Sequence, residues 1–299
     1  MFTKHTMKVT FLSLLDFSSN FLPSSLYIVS TPLGNLKDLT ARALETLKQV
    51  DLILCEDTRV SRILMQHYGI STPLKALHDY NEAQMVPFVI AQLQQQKRLA
   101  LISDAGTPLI SDPGYKIIQA VIEHDFLITA LPGPSAIINA LVLSGLPSHQ
   151  FFFGGFLPSK SQERRQELQR LGKVPATLIF YESCHRLIDT LQDIGTLFGT
   201  RDVVVAREMT KKFEEIIRGN WQKVLNHFSE KPPRGEIVLL IGPPSSQDQE
   251  WDDVKLEYEL RQSLGCQSLK AAVEEITLLS NLSKKVVYQK ALILRKEDL

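Results

Sequence analysis

An excess of one charge, paired cysteines, metal-ligand spacings and long apolar runs are all missing from this 299-residue sequence. Each absence removes a class of function. Thirty-three Lys and Arg against thirty-three Asp and Glu give a formal net charge of zero, so no whole-molecule field steers the protein toward nucleic acid or a membrane. A nucleic-acid substrate would need a local basic patch. Three scattered cysteines (Cys55, Cys184, Cys266) argue against a disulfide framework and fit a reducing cytoplasm. No HExxH pair supports zinc, and no apolar run reaches the ~18 residues of a membrane helix. The ordinary nucleotide fingerprints, GxxxxGK[ST] and GxGxxG after the first strand, are also absent. No internal repeat or low-complexity tract interrupts the chain.

What is present suits a globular chain of 44% hydrophobic and 22% charged residues, long enough for two domains at about 150 residues each. Residues 1–25 read as a loose extension, with Met7 as another candidate start. From Leu26 short apolar runs alternate with amphipathic stretches. Strands are expected over 26–30, 51–55, 98–103 and 126–131, with helices between them at i, i+3, i+4 spacing, as in Val60, Ile63, Leu64 and His67. That alternation predicts a parallel sheet covered on both faces, a first α/β domain over 26–146. A second α/β domain is expected over 147–243, with strands near 151–153, 176–181, 202–207, 213–218 and 236–241 and helices over 160–171 and 184–198 between them. The adjacent 202–207 and 213–218 pair predicts a hairpin and hence a mixed sheet. Phe151–Phe153 reads as a buried strand. A helical region is expected over 251–299.

Three loops follow predicted strands: Ser30–Asn35, the long Ser103–Gly114, and Leu131–Ala136. Their small residues let a main chain approach a ligand closely, their prolines hold them rigid, and ligands on such sheets bind beyond the carboxyl ends of the strands. Any one of them is explained as a βα turn; three on one sheet edge point to a small-molecule pocket.

These loops, with Tyr27–Asp38, Cys55–Arg59, Tyr181–Arg186 and Arg207–Lys211 in order, resemble the tetrapyrrole methylase superfamily over roughly residues 26–242. Within it the match is closer to the branch that acts on small-subunit ribosomal RNA. Cys184 stands where that branch usually has Pro. The resemblance implies two α/β domains with the cofactor cleft between them (class III methyltransferase-like), a small C-terminal helical region, a homodimer and S-adenosylmethionine. It also implies 2′-O-methylation of a cytidine ribose in the decoding region, on the RNA or the assembled small subunit. By the same resemblance Pro32, Gly106, Thr107, Pro108, Ser111, Ser135 and Ala136 line the cofactor pocket, with Tyr181, Ala206, Glu236 and Ile237 from the second domain.

Candidate bases are Glu56, Asp57 and Asp104, each at a strand's carboxyl end; helix capping or a bond to a loop amide is the competing role for each. Candidate RNA contacts are Lys160, Arg164 and Arg165 on a basic helix, and Arg59, Arg62, His185, Arg186, Arg207 and Lys211 near strand ends. A solvated helix face explains the first set equally well on composition. The tail's Lys284, Lys285, Lys290, Arg295 and Lys296 form a third set, for which solubility is the competing role. Two other functions stay open: a tetrapyrrole C-methyltransferase, and a non-catalytic ribosome-assembly RNA-binding protein.

Overall fold

The computed structural model describes residues 22–244, 253–280 and 282–297. Contacts divide the chain into two units at Asn139/Ala140, with Glu208–Glu214 belonging to the first. The expected extension lies outside the described residues up to residue 21. Its last residues are fixed: the Ser25 hydroxyl donates to the Leu127 carbonyl at 2.9 Å and that of Ser24 to Lys97 at 3.1 Å.

The first unit carries β1 (Leu26–Val29), β2 (Leu52–Cys55), β3 (Leu74–Ala76), β4 (Leu99–Ile102) and β5 (Ile128–Leu131) in the order β3-β2-β4-β1-β5. All its pairings are parallel. The central strands read as unbroken apolar runs, LYIV and LALI, because both faces are covered. Alternate residues serve opposite cores. Tyr27, Val29, Ile53 and Ile102 meet Ala43 and Leu47 of α1 (Ala41–Gln49) and Leu64 of α2 (Thr58–Tyr68). Leu26, Ile28, Leu54 and Leu101 meet Val89 and Leu93 of α3 (Glu82–Gln94) and Ile117 and Val121 of α4 (Tyr115–Glu123). α5 (Ala136–Ser144) carries the division between the units.

The second unit's sheet joins β6 (Phe151–Phe156), β7 (Thr177–Ser183), β8 (Asp202–Arg207), β9 (Glu215–Asn220) and β10 (Glu236–Ile241) in the order β6-β7-β10-β8-β9. Only β6–β7 is parallel, so the sheet is mixed, and β8–β9 is the expected hairpin. One face packs Leu178, Phe180, Val203, Val205 and Leu239 against α6 (Ser161–Leu171), α7 (Leu187–Leu197) and α8 (Trp221–Glu230). α9 (Asp253–Cys266), α10 (Leu269–Ser280) and α11 (Lys284–Glu297) enclose a separate small core of Leu256, Leu260, Val273, Ile276, Val287 and Ala291.

Three readings need correction. Phe151–Phe153 is a strand but not a buried one: β6 is an edge strand, and Phe151 and Phe152 are exposed. β3 and α8 had no counterpart in the sequence reading. The helix expected from Cys184 starts at Leu187, after a turn closed by the Arg186 N–H donating to the Ser183 carbonyl at 3.0 Å. Among the described residues no helix is long and apolar enough to cross a membrane.

Candidate functional site

The strand order puts β4, β1 and β5 side by side, so the three loops leave adjacent strand ends. They are sewn together. Thr31 and Gly106 exchange main-chain hydrogen bonds of 2.8 and 3.0 Å, and the Thr31 hydroxyl donates to the Ser103 carbonyl at 3.0 Å. The Thr107 hydroxyl donates to the Pro134 carbonyl at 2.9 Å and lies 3.1 Å from the Ser30 hydroxyl, so one side chain bridges all three loops. Gly133 is required here, because a Cβ on it would sit 2.7 Å from that of Ser30. The long loop takes positive φ at Gly106 (81°), Leu109 (75°), Ser111 (68°) and Gly114 (131°). Two non-glycine residues in that region cost of order 1–3 kcal/mol each, strain that the surrounding contacts must hold in place.

The far end of this loop is latched by a residue that sequence reasoning missed. Glu82 is buried, and its Oε1 accepts the N–H groups of Gly114 (3.0 Å) and Lys116 (2.7 Å), capping α4 from outside that helix. The E that follows His78–Asp79–Tyr80–Asn81 was its only signal. Tyr80 beside it is 95% exposed, although Asn81 ties its loop to His78 and Ala76.

The carboxylates separate into roles. Asp57 caps α2: its Oδ1 accepts the Arg59 N–H at 2.7 Å. Hydrogen bonds from the Arg59 side chain and main chain hold its pKa at about 2. Asp104 accepts the Asp57 N–H at 3.2 Å, joining the β2 and β4 loops. Burial and the Asp57 charge raise its pKa against that bond. Burial raises Glu56 too, aided by the charges of Asp104, Asp79 and Asp57. Asp112, not singled out in the sequence, is pushed up to about 6, chiefly by burial and then by Glu56. No three His, Cys, Asp or Glu among the described residues are arranged to hold a metal ion.

Apart from Asp104 and Asp112, the three loops carry no charged side chain. Pro32 and Pro108 are buried, Ser111 is exposed, and Thr107, Ser135 and Ala136 are half-buried. Short side chains and main-chain amides are a donor set suited to an amino-acid carboxylate and amine, a ribose or an adenine edge. In the second unit Tyr181, Val238 and Ala206 stand in register on β7, β10 and β8, one row on one face. Tyr181 packs edge-on against Phe153, with ring centroids 5.0 Å apart. Ala206 is buried. Ile237 points into the opposite core, so it can offer only main chain to a ligand, while Glu236 is exposed.

The cations differ most from expectation. Arg164 is 3% exposed, and its guanidinium meets Asp193 at 2.6 Å. It closes the second unit's core and is not available to phosphate. Arg165 shares Asp193 at 2.6 Å but keeps half its surface. Burial would raise the pKa of Asp193; bonds from both arginines outweigh this and hold it low. Arg186 pairs at 2.7 Å with Glu182, whose other oxygen accepts the Thr190 hydroxyl. Arg207 pairs at 3.0 Å with Glu215, which also meets His227. Lys211 meets Glu208 at 2.8 Å, and its stem lies against Gly34. Lys160 and Arg59 are exposed on surface pairs with Glu163 and Asp57, and Arg62 and His185 are exposed.

Residues 25–225 match the profile of a family described as Tetrapyrrole (Corrin/Porphyrin) Methylases. The chain is 43% identical over 277 residues to a Mesorhizobium japonicum protein named Ribosomal RNA small subunit methyltransferase I, covering 92% of this chain and 93% of that protein. The protein of that name from Pasteurella multocida is 45% identical, with 90% and 97% covered. Among solved structures, diphthine synthase is similar in fold with a TM-score of 0.58 at 12% identity, covering 78% of this chain and 93% of that one. A Thermus thermophilus uroporphyrin-III C-methyltransferase complexed with S-adenosyl homocysteine gives 0.52 at 15% identity, covering 73% and 97%.

Proposed function

The chain belongs to the tetrapyrrole methylase family, and from that premise we propose that it is an S-adenosylmethionine-dependent methyltransferase of small-subunit ribosomal RNA, acting on the 2′-oxygen of a cytidine ribose. The observation that carries this reading is the loop edge: three loops on adjacent strands, fastened through Thr107, offering main chain and short side chains where the family binds its cofactor. Pro32, Gly106, Thr107, Pro108, Ser111, Ser135 and Ala136 are the proposed cofactor contacts there. For Tyr181, Ala206, Glu236 and Ile237 the support is the resemblance alone.

When bound, S-adenosylmethionine supplies an electrophilic sulfonium methyl, so the protein's share of the work is alignment. Rigid loops serve that end by fixing the position of a ligand before the substrate arrives. Taking the hydroxyl proton falls to a carboxylate. Asp57 is committed to capping and to Arg59, and Asp104 to the Asp57 amide. Glu56, which neither caps a helix nor accepts a loop amide among the described residues and whose pKa burial raises, is the one we favour of the three. Arg59, Arg62, Lys160, Arg165 and His185 are the exposed groups we assign to RNA, with Arg186, Arg207 and Lys211 half-buried behind their carboxylates. We place the reaction in the cytoplasm and in a homodimer, as the resemblance implies.

The test is methyl transfer from labelled S-adenosylmethionine to isolated small ribosomal subunits and to their naked RNA, with nuclease mapping of the product. Label in one alkali-resistant ribose-methylated cytidine is the expected result. Cofactor binding without label on either substrate rejects RNA and makes tetrapyrroles the next substrates to offer. A chain that binds no cofactor would be an RNA-binding assembly factor.

A further inference from the structure

The three C-terminal helices lie outside the residues that match the family profile, which end at 225, and they make a small body with its own core. On it is a groove of about 480 Å³, lined among others by Ser268, Lys270, Lys284, Tyr288 and Arg295. Lys284, Tyr288 and Arg295 are spaced i, i+4, i+11 along α11, close to whole helical turns, so they form one stripe about 16 Å long. Lys270 joins them from the first turn of α10, which Ser268 precedes with its hydroxyl 3.4 Å from the Ala271 N–H.

The groove is cationic. Lys270 and Arg295 make no ion pair among the described residues. Lys284 has one exposed pair, with Glu274 at 3.2 Å, a contact of little worth in water. Lys290, also on α11, is turned elsewhere, held by Asp253 and Glu257 at 2.9 and 3.1 Å. Tyr288, 45% exposed, puts an aromatic face between the cations. Positive charge flanking an exposed ring is what a single nucleic-acid strand asks of a surface: cations for successive phosphates and a platform for a base.

We infer that the α10–α11 groove binds a single-stranded segment of the RNA substrate, with Lys270, Lys284 and Arg295 on its phosphates and Tyr288 stacked on a base. The inference rests on the RNA reading above. It gives the chain an RNA grip on a segment other than the one that carries the loop edge, so that affinity and chemistry reside on different parts of the sequence.

The experiment measures binding of the full-length protein to a fluorescent single-stranded fragment of small-subunit ribosomal RNA across a series of KCl concentrations. K270Q/K284Q/R295Q should flatten the plot of log affinity against log salt by about 2, since each lost phosphate contact removes about 0.7, and weaken binding at least tenfold near ~0.15 M salt. R295Q alone should flatten it by about 0.7. Tyr288→Ala should weaken binding about fivefold or more at unchanged slope, with Tyr288→Phe restoring it. Cofactor affinity and melting temperature serve as readouts that the groove variants should leave alone. Wild-type slope and affinity in both the triple and Tyr288→Ala proteins would overturn the groove and leave it to an acidic protein surface. A wild-type chain that binds no ribosomal RNA would fail the RNA reading itself, and this inference with it.

Discussion

At the carboxyl edge of the first sheet, three loops are held by neutral hydrogen bonds among Ser30, Thr31, Ser103, Gly106, Thr107 and Pro134. In the second unit, by contrast, arginines are tied to carboxylates: Arg164 and Arg165 on Asp193, Arg186 on Glu182, Arg207 on Glu215. The first arrangement leaves main chain presented outward on a fixed frame. The second consumes its charges internally. A cation in the sequence is therefore a poor guide to a cation on offer, whereas a glycine–proline loop after a strand is a good guide to where main chain is exposed.

The sharpest way to break this comparison is to remove the charge that two arginines share. Asp193→Ala leaves Arg164 buried without a counter-ion and should destabilise the protein by about 3–5 kcal/mol in urea unfolding. A loss under ~1 kcal/mol would mean that the pair is not buried in solution. On the loop side, Gly106→Val forces a β-branched residue to φ 81°, with its Cβ 3.1 Å from Leu33; it should cost about 1–3 kcal/mol and at least ten-fold in cofactor affinity by calorimetric titration. Normal affinity would move the pocket off this edge. Thr107→Val deletes the hydroxyl that joins the loops and should cost about 1–2 kcal/mol. A Thr107→Ser protein should retain most of that.

Proton uptake sharpens the comparison further. Asp112 has a folded-state pKa of about 6, above the ordinary aspartate value, so the folded form holds its proton more tightly than the unfolded chain does. Its contribution is most favourable below pH ~4 and is lost as the pH rises to about 6. Asp112→Asn should therefore raise the melting temperature at pH 7, with the gain vanishing near pH 4. An equal gain at both would rule out titration as the cause. The smallest effect belongs to Arg59→Ala, fully on the surface: melting temperature unchanged, ribosomal RNA affinity reduced about two- to fourfold.

Most of the fold was legible because periodicity records which faces are covered. The runs at 26–29 and 99–102 are apolar at every position, and the structure covers both faces. β3 was not legible, since Leu74–Ala76 is three half-buried residues with no alternation to read. α8 escaped because its buried residues, Val224 and Phe228, are only one pair at i, i+4. At the site, the three loops could be read from Gly, Pro and strand ends. Asp112 and Glu82 could not, because what distinguishes them is burial and a partner about thirty positions away, as in Glu82 on Gly114. Arg164 misled for the same reason: Asp193 lies twenty-nine positions on.

The strand order has a kinetic consequence. β1, residues 26–29, pairs with β4 at Leu99–Leu101 and with β5 at Ile128–Leu131, contacts between segments about seventy and a hundred positions apart. Such closures are slow, and neither can be rehearsed locally. Thr31 and Gly106 become neighbours only after β1 has found β4, and Thr107 reaches Pro134 only after β5 has docked as well. The loop edge is thus assembled in stages, each behind a long-range closure, and a chain that has made neither closure displays none of it. A ligand that recognises the finished edge cannot guide the early search; it acts as a ratchet, drawing the population toward the completed sheet by mass action once that sheet exists.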